Sequence, residues 1–509
     1  MSGKREYGDY QTPEYYSLEI CKYLKEKRKI KPSIVIEPTC GVGSFIKSSL
    51  IFDMSEIWGV EISSEYCKIC EEIAADSRIH IVNADFFSFD FKSIIKKKDN
   101  ILVVGNPPWV NNSTLSNLDS NNLPLKTNFK GLKGIEAITG SSNFDICEYI
   151  ILQLINLLRG TNATIAMLCK TSVARNVFLE MKRTHINFNA FDILEIDARK
   201  VFGISAQACL LVIELTKRFS CAEICSVYSF DNPETLKSSF GYIDGKLYSN
   251  TSKIVNDFSG RCCFEWRQGV KHDCSKVMEL SIQETTLING LGESVEIETE
   301  YLFPLIKSSM FKSPIVDNFK KYVIVTQKKV KEDTSHIQRD APKTWNYLMA
   351  HKEYFLKRKS SIYKGSPDFS MFGIGDYSYA QYKVGVSGFY KHPLFSVLKS
   401  ENEKPVMTDD TSYFICFPTY DAAYTAMLLL NSDRVQQFLS TVAFLDAKRP
   451  YTKKVLERID FFKIVQNVDV SEIVNTETHL GLYRYFKEEM LADFILLPEF
   501  AQQGIAMYT

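Results

Sequence analysis

Ile101-Leu102-Val103-Val104-Gly105-Asn106-Pro107-Pro108-Trp109 is the stretch on which the reading of this 509-residue chain turns. The four leading residues are an uninterrupted apolar run, which predicts a buried strand. Its carboxyl end then carries a side-chain amide, two prolines and an indole. Asn106 offers both an acceptor and donors. Pro107 has a carbonyl but no N–H, and paired prolines hold the backbone extended and stiff. Trp109 is a flat apolar plate. An amide oxygen and a fixed carbonyl suit the two hydrogens of an exocyclic amine on a planar ring, with the indole stacked on that ring. Taken alone, the five residues fit equally well a strand-end turn with a packed tryptophan. What stands upstream decides between the two.

Working back from there, three more apolar runs end in polar residues. Ile34-Val35-Ile36 reads as a short strand running into Glu37-Pro38-Thr39-Cys40-Gly41-Val42-Gly43-Ser44-Phe45 and a helix. Strand, glycine turn and helix form the mononucleotide-binding half of a doubly wound sheet. The glycines admit a ligand close to the backbone. The third glycine of the dinucleotide fingerprint is missing. Ile57-Trp58-Gly59-Val60-Glu61-Ile62 predicts a second strand ending in an acid, whose two oxygens suit a ribose diol. Ile79 to Phe87 predicts a third, ending in Asp85-Phe86, an acid for an adenine amine beside a ring to pack on it. Singly, each acid reads as a solvated strand end. Together, three consecutive ends match the parts of one nucleoside.

In this order, and with Gln11-Thr12-Pro13 at the front, the motifs resemble the gamma class of S-adenosylmethionine-dependent amino-methyltransferases, which modify adenine N6 in DNA. The resemblance is strong over residues 6–215 and general beyond. It implies an α/β fold, a doubly wound Rossmann-like methyltransferase sheet followed by a mixed α+β target-recognition domain. The implied division is 1–250 for catalysis and 251–509 for DNA target recognition. S-adenosyl-L-methionine is the implied cofactor. Thr12, Glu37 and the turn Pro38, Thr39, Gly41 and Gly43 would hold its methionine part. Glu61, with Ile62 beside it, would bind the ribose, and Asp85 with Phe86 the adenine. Asn106 and Pro107, followed by Pro108, would fix the target amine, with Trp109 stacked on the flipped base. Phe202, just before the strand Cys209–Leu215, stands where the class places a second stacking aromatic. A core phenylalanine is the equal alternative, and Gly203-Ile204-Ser205 departs from the usual residues that follow. Double-stranded DNA is the implied partner, and a restriction–modification role leaves cleavage to a separate endonuclease. One site and one recognition domain suffice as a monomer.

Residues 111–142, rich in Asn, Ser, Thr, Lys and Gly, predict a long loop directly after the reactive motif, placed to close over DNA. Asp145 reads first as the cap of a helix reaching about Leu158. It is a secondary candidate for the cofactor site. Strands are expected over Ala163–Cys169 and Phe191–Ile196, with a helix over Ser172–Met181 between them.

Beyond residue 260 the strand–helix alternation fades. Short strands are expected at Tyr322–Val325 and Tyr413–Phe417, and helices around 344–358 and 420–444. Lys307 to Lys331 holds seven lysines and one aspartate. Lys357-Arg358-Lys359, Lys364, Lys383 and Lys391 follow, interleaved with Tyr363, Tyr377, Tyr379, Tyr382, Phe389 and Tyr390. Basic residues mixed with aromatics suit a surface that tracks phosphates. A solvated lysine-rich face is the plainer account.

Composition bounds these readings. With 61 basic and 61 acidic residues the net charge is zero, so a nucleic-acid surface has to be local. No apolar run approaches the roughly 20 residues of a membrane span, and the polar start lacks a signal sequence. The thirteen cysteines are scattered and read as reduced and cytoplasmic. Cys67-x-x-Cys70 has no second pair to complete a zinc site, so no metal is expected and helix packing is its simpler role. Three rivals remain: a glutamine-amide protein methyltransferase with a similar Asn-Pro-Pro-aromatic, a modification subunit that borrows its specificity, and a DNA-binding module with a vestigial cofactor fold. Asn rather than Ser before the prolines leans toward adenine N6 over cytosine N4.

Overall fold

The computed structural model describes residues 10–73, 75–96, 98–110, 145–254, 258–400 and 403–500. Residues 6–9, the loop expected over 111–142, and Asn143-Phe144 lie outside the described residues. The chain divides into two compact units, Met1–Ser252 and Lys253–Thr509.

The first unit is built on β1 (Ile34–Glu37), β2 (Glu56–Glu61), β3 (Ile79–Asn83), β4 (Ile101–Gly105), β5 (Ala163–Lys170), β6 (Phe188–Asp197), β7 (Gln207–Leu215), β8 (Ile224–Ser229), β9 (Ser238–Ile243) and β10 (Lys246–Tyr248). They form one sheet in the order β10-β9-β8-β6-β7-β5-β4-β1-β2-β3. Strands β1 to β5 are mutually parallel, and β7 runs antiparallel between β5 and β6. Every residue of β1 and β4 is buried. A central parallel strand covered on both faces requires such a run. Each fully buried Val, Leu or Ile there contributes roughly 1.5–3 kcal/mol. The chain order reverses between β1 and β4, the place where open α/β sheets bind ligands outside their carboxyl ends.

Helices flank these strands. Helix Ser64–Glu71 is capped by the Ser63 hydroxyl and buries Cys67 and Cys70, so the cysteine pair packs the helix. After the opening helix Glu14–Lys22, Arg28 pairs with Asp192 on β6 and Glu214 on β7, fixing the start of the chain to the sheet.

The second unit holds two smaller sheets. One joins Arg267–Gln268, Ser412–Phe417, Tyr382–Ser387, Ser396–Lys399 and Ile315–Val316. The other joins Ser294–Val295, Thr286–Asn289, Glu279–Gln283, Lys321–Ile324, Leu302–Ile306 and Met407–Thr408. Both expected helices are interrupted. The second is Tyr420–Asn431 and Asp433–Val442, with Ser432 extended between them. The Asn431 amide donates to the carbonyls of Met427 and Phe395, an alternative to continuing the helix. The first breaks at His351, whose ring bonds the Tyr347 carbonyl and Glu293.

The basic–aromatic stretch sorts into two groups, which corrects its reading as one phosphate-tracking surface. Lys383 is 1% exposed and donates to the carbonyls of Ser378 and Val406, each at 2.6 Å. Arg358 donates to the carbonyls of Phe355, Ser370 and His272 and stacks on Tyr363 at 3.7 Å. Lys307 is held by both oxygens of Glu279 at 2.9 Å. These three cations serve the fold. Lys312, Lys320, Lys328, Lys329, Lys331, Lys359, Lys364 and Lys391 are exposed.

Candidate active site

The carboxyl ends of β3, β2, β1 and β4 lie side by side, and each carries residues singled out in the sequence. At the end of β1, Glu37 is buried, and its Oε2 accepts from the Ile46 N–H at 3.0 Å. Burial pushes this carboxyl well above the usual range, with the Cys70 thiol and Glu61 adding to the rise against the Ile46 N–H. The turn that follows needs its glycines: φ is +52° at Gly41 and +81° at Gly43. A side chain on Gly41 would also run into the Gln11 side-chain amide. The Thr39 hydroxyl is buried with no hydrogen-bond partner among the described residues.

Glu61 ends β2 and clasps this turn. Its Oε2 accepts from the Gly41 N–H and its Oε1 from the Ser63 N–H, both at 2.8 Å. Ile62 next to it is 48% exposed, a large apolar side chain open at the sheet edge.

Strand β3 stops at Asn83, short of the expected Asp85-Phe86. The Asn83 amide donates to the carbonyls of Glu61 and Ile62, and Asp85 folds back to accept from the Phe87 N–H at 3.1 Å. These three bonds favour a turn over further pairing. Asp85 and Phe86 therefore stand in the turn beyond the strand. Phe86 meets Phe87 edge-on at 5.2 Å.

The ends of β1 and β4 are in contact. A Cβ on Gly105 would lie 3.4 Å from Glu37 and 3.7 Å from Pro38. Pro107 is buried and Pro108 half-buried. Asn106 Nδ2 donates to the Tyr10 carbonyl at 2.7 Å and to Thr12 Oγ1 at 3.2 Å. A carbonyl only accepts, so this contact fixes which end of the amide is nitrogen. The other end, Oδ1, is buried and has no partner among the described residues.

Trp109 is 6% exposed, and its indole N–H donates to the Leu168 carbonyl at 3.3 Å. Its ring meets Phe202 in a T at 5.5 Å and Tyr10 at 6.1 Å. The indole is thus more enclosed than an open plate. The accessible aromatic surface beside it belongs to Tyr10 and the half-buried Phe202. Asp145 caps helix Ile146–Leu157 through the Cys147 N–H at 3.1 Å and pairs with Lys170 at 2.7 Å. Burial raises its carboxyl against the pull of Lys170.

Two contributors had no assigned role in the sequence. Tyr10 supplies a carbonyl and a ring. Gln11, whose Oε1 accepts from the Val42 N–H at 3.2 Å, braces the glycine turn. The only signal that pointed to them is the Gln-Thr-Pro opening, which contains Gln11 and directly follows Tyr10.

The strand order, the glycine turn and the acids at the ends of adjacent strands are those of a Rossmann-like methyltransferase sheet. Its residues fit S-adenosyl-L-methionine: an unpaired buried hydroxyl at Thr39, an exposed Ile62 beside Glu61, and Asp85 in the next turn. No family model matches the sequence. The chain is 40% identical over 470 residues to the type II methyltransferase M.NspV of a Nostoc species, covering 90% of this chain and 96% of that protein. The chain belongs to the type II methyltransferases, DNA-modifying enzymes whose methyl donor is S-adenosyl-L-methionine. In fold it is similar to the type IIL restriction-modification enzyme MmeI, solved in complex with DNA. That match has a TM-score of 0.52 at 13% identity and covers 99% of this chain and 80% of that one. Among the described residues no helix is long and apolar enough to cross a membrane.

Proposed function

We propose that the enzyme methylates the N6 amine of adenine in duplex DNA, with the base flipped out of the helix. One observation carries this reading: the buried, unpartnered Oδ1 of Asn106 at the end of β4, its amide held from behind by Tyr10 and Thr12. A buried acceptor without a donor is costly, and an incoming amine hydrogen relieves that cost. The Pro107 carbonyl, on a backbone whose φ is locked by its ring, takes the second hydrogen. Two acceptors favour a tetrahedral nitrogen and free its ring-delocalised lone pair for attack. The proton leaves after attack, so no side-chain base is required. When bound, S-adenosyl-L-methionine supplies an activated methyl group. Thr12, Thr39 and the Gly41–Gly43 turn would hold its methionine part, Glu61 and Ile62 the ribose, and Asp85 with Phe86 the adenine.

The target atom lies inside a base pair, so the base has to leave the stack. Phe202 and Tyr10, the accessible rings beside the enclosed Trp109, offer aromatic surface that offsets part of the unstacking. We assign the first unit to catalysis and the second to target recognition, with the exposed lysines of the second unit on phosphates. Cleavage of unmodified DNA falls to a separate endonuclease, and the enzyme acts as a monomer.

The deciding experiment supplies labelled cofactor with duplex DNA or with total protein, then identifies the modified base. N6-methyladenine is expected. N4-methylcytosine would move the assignment to the other amine. Label in protein alone would overturn it.

A further inference from the structure

We propose that Thr12 is a positioning residue for Asn106: the Tyr10 carbonyl fixes which end of the amide faces the reacting amine, and the Thr12 hydroxyl, taking the second Nδ2 hydrogen, holds the amide in that plane. This rests on reading Asn106 as the amine acceptor. The terminal torsion of asparagine is broad and nearly two-fold, so its oxygen and nitrogen exchange places at little steric cost. The chemical consequence is large. With Oδ1 toward the site the amine hydrogen finds an acceptor. With Nδ2 there, donor meets donor.

The structure holds both hydrogens of Nδ2 on the far side. One goes to the Tyr10 carbonyl at 2.7 Å and the other to Thr12 Oγ1 at 3.2 Å. Thr12 is 6% exposed, so water does not readily replace it. In the flipped amide, Oδ1 would stand against the Tyr10 carbonyl oxygen, acceptor against acceptor. Gln11, between the two, accepts from the Val42 N–H of the glycine turn at 3.2 Å. Three consecutive residues thus tie the turn after β1 to the amide after β4.

The test uses the full-length enzyme with Thr12→Val, Thr12→Ser and Asn106→Ala. It measures kcat and KM on DNA together with direct cofactor affinity. Thr12→Val is expected to lower kcat about tenfold, the worth of one lost hydrogen bond. Cofactor affinity, to which Thr12 also contributes beside the methionine part, is expected to fall by less than kcat, and Thr12→Ser, which keeps the hydroxyl, restores most of the rate. Should Thr12→Val fail to fold, Thr12→Ala asks the same question. A normal kcat in the folded valine or alanine variant overturns the proposal. So does a loss confined to cofactor affinity, the result for a residue that only touches methionine. Asn106→Ala separates the two layers. If it is inactive while Thr12→Val is normal, positioning fails alone. If it methylates at the normal rate, the acceptor reading itself fails.

Discussion

Lys383, buried in a strand of the second unit, and Asn106, half-buried just past the end of one in the first, both tie up polar hydrogens on carbonyls, and their surroundings differ in one respect. Lys383 gives its hydrogens to the carbonyls of Ser378 and Val406. Glu477, also in the second unit, accepts through one oxygen from Tyr424, Tyr485 and Phe486. These are closed networks that hold loops in place. Asn106 has its amide nitrogen satisfied, while its amide oxygen is buried without a partner among the described residues. An unmatched buried atom does not mark chemistry by itself, since Trp266 Nε1 in the second unit is another among the described residues. Asn106 is set apart by its place at the reversal point of the sheet, against the turn that follows β1. A closed network predicts a stability role, and an open one predicts a rate role.

Asn106→Ala is the strongest test of that distinction. It removes an acceptor from the reacting amine, and losses for a single such group run to about 10²–10³ in rate. Methylation is expected to fall by that much or more, with cofactor and DNA binding retained. A variant that loses its melting temperature in proportion to its activity would show that Asn106 is as structural as Lys383.

The converse test titrates Lys383. Burial pulls its amine down to about 8. Between that value and the unfolded value near 10.5, the unfolded chain binds a proton that the folded chain has released. Stability is therefore greatest above the unfolded value and falls as pH drops toward 8. The full span is about 3 kcal/mol by linkage. Unfolding free energies of wild type and Lys383→Met, compared from pH 7.5 to 10, should diverge by an amount of that order. A constant difference between them would place the amine in contact with water or an acid.

The two units also differed in how far the sequence could be read. Central parallel strands are unbroken apolar runs, and the polar residues that end them stand out, so Glu37, Glu61 and Asn106 were legible. Strand β3 ends before the expected Asp85-Phe86 because Asn83 bonds to the carbonyls of Glu61 and Ile62 at the end of the neighbouring strand, a contact with no local signature. The link from Thr12 to Asn106 crosses 94 positions of sequence and was equally hidden. In the second unit Lys383 read as a surface cation because its partners, 5 and 23 residues away, come from elsewhere in the fold. The helix breaks at His351 and after Asn431 have a common origin: each of these two side chains bonds one carbonyl of its own helix and one group elsewhere in the fold.

Aromatic surface gives an intermediate test. Phe202 is half-buried and in ring contact with an enclosed Trp109. Replacing a stacking aromatic by alanine costs about 1–3 kcal/mol per base. Phe202→Ala should lower kcat/KM on duplex DNA by that amount and recover when the target base is already mispaired, because less stacking has to be undone. Trp109→Ala should reduce thermal stability as well, since its indole is packed and bonded to Leu168. Equal behaviour of the two variants would assign Phe202 to the core.

The smallest effects belong to single exposed lysines, and they sharpen the sorting of charge within the second unit. Each phosphate contact contributes about 0.9 to the slope of log affinity against log salt. Lys328→Gln and Lys329→Gln, both at exposed positions, should each lower that slope by about this amount if the residue lies on the backbone of DNA. The loss should be the same for cognate and unrelated sequences, because phosphate contacts carry no base information. Lys383→Met provides the contrast: a lysine 1% exposed and bound to two carbonyls should leave the slope unchanged. A slope that falls for Lys383→Met and not for Lys328→Gln or Lys329→Gln would reverse the sorting and take the phosphates away from this lysine-rich segment.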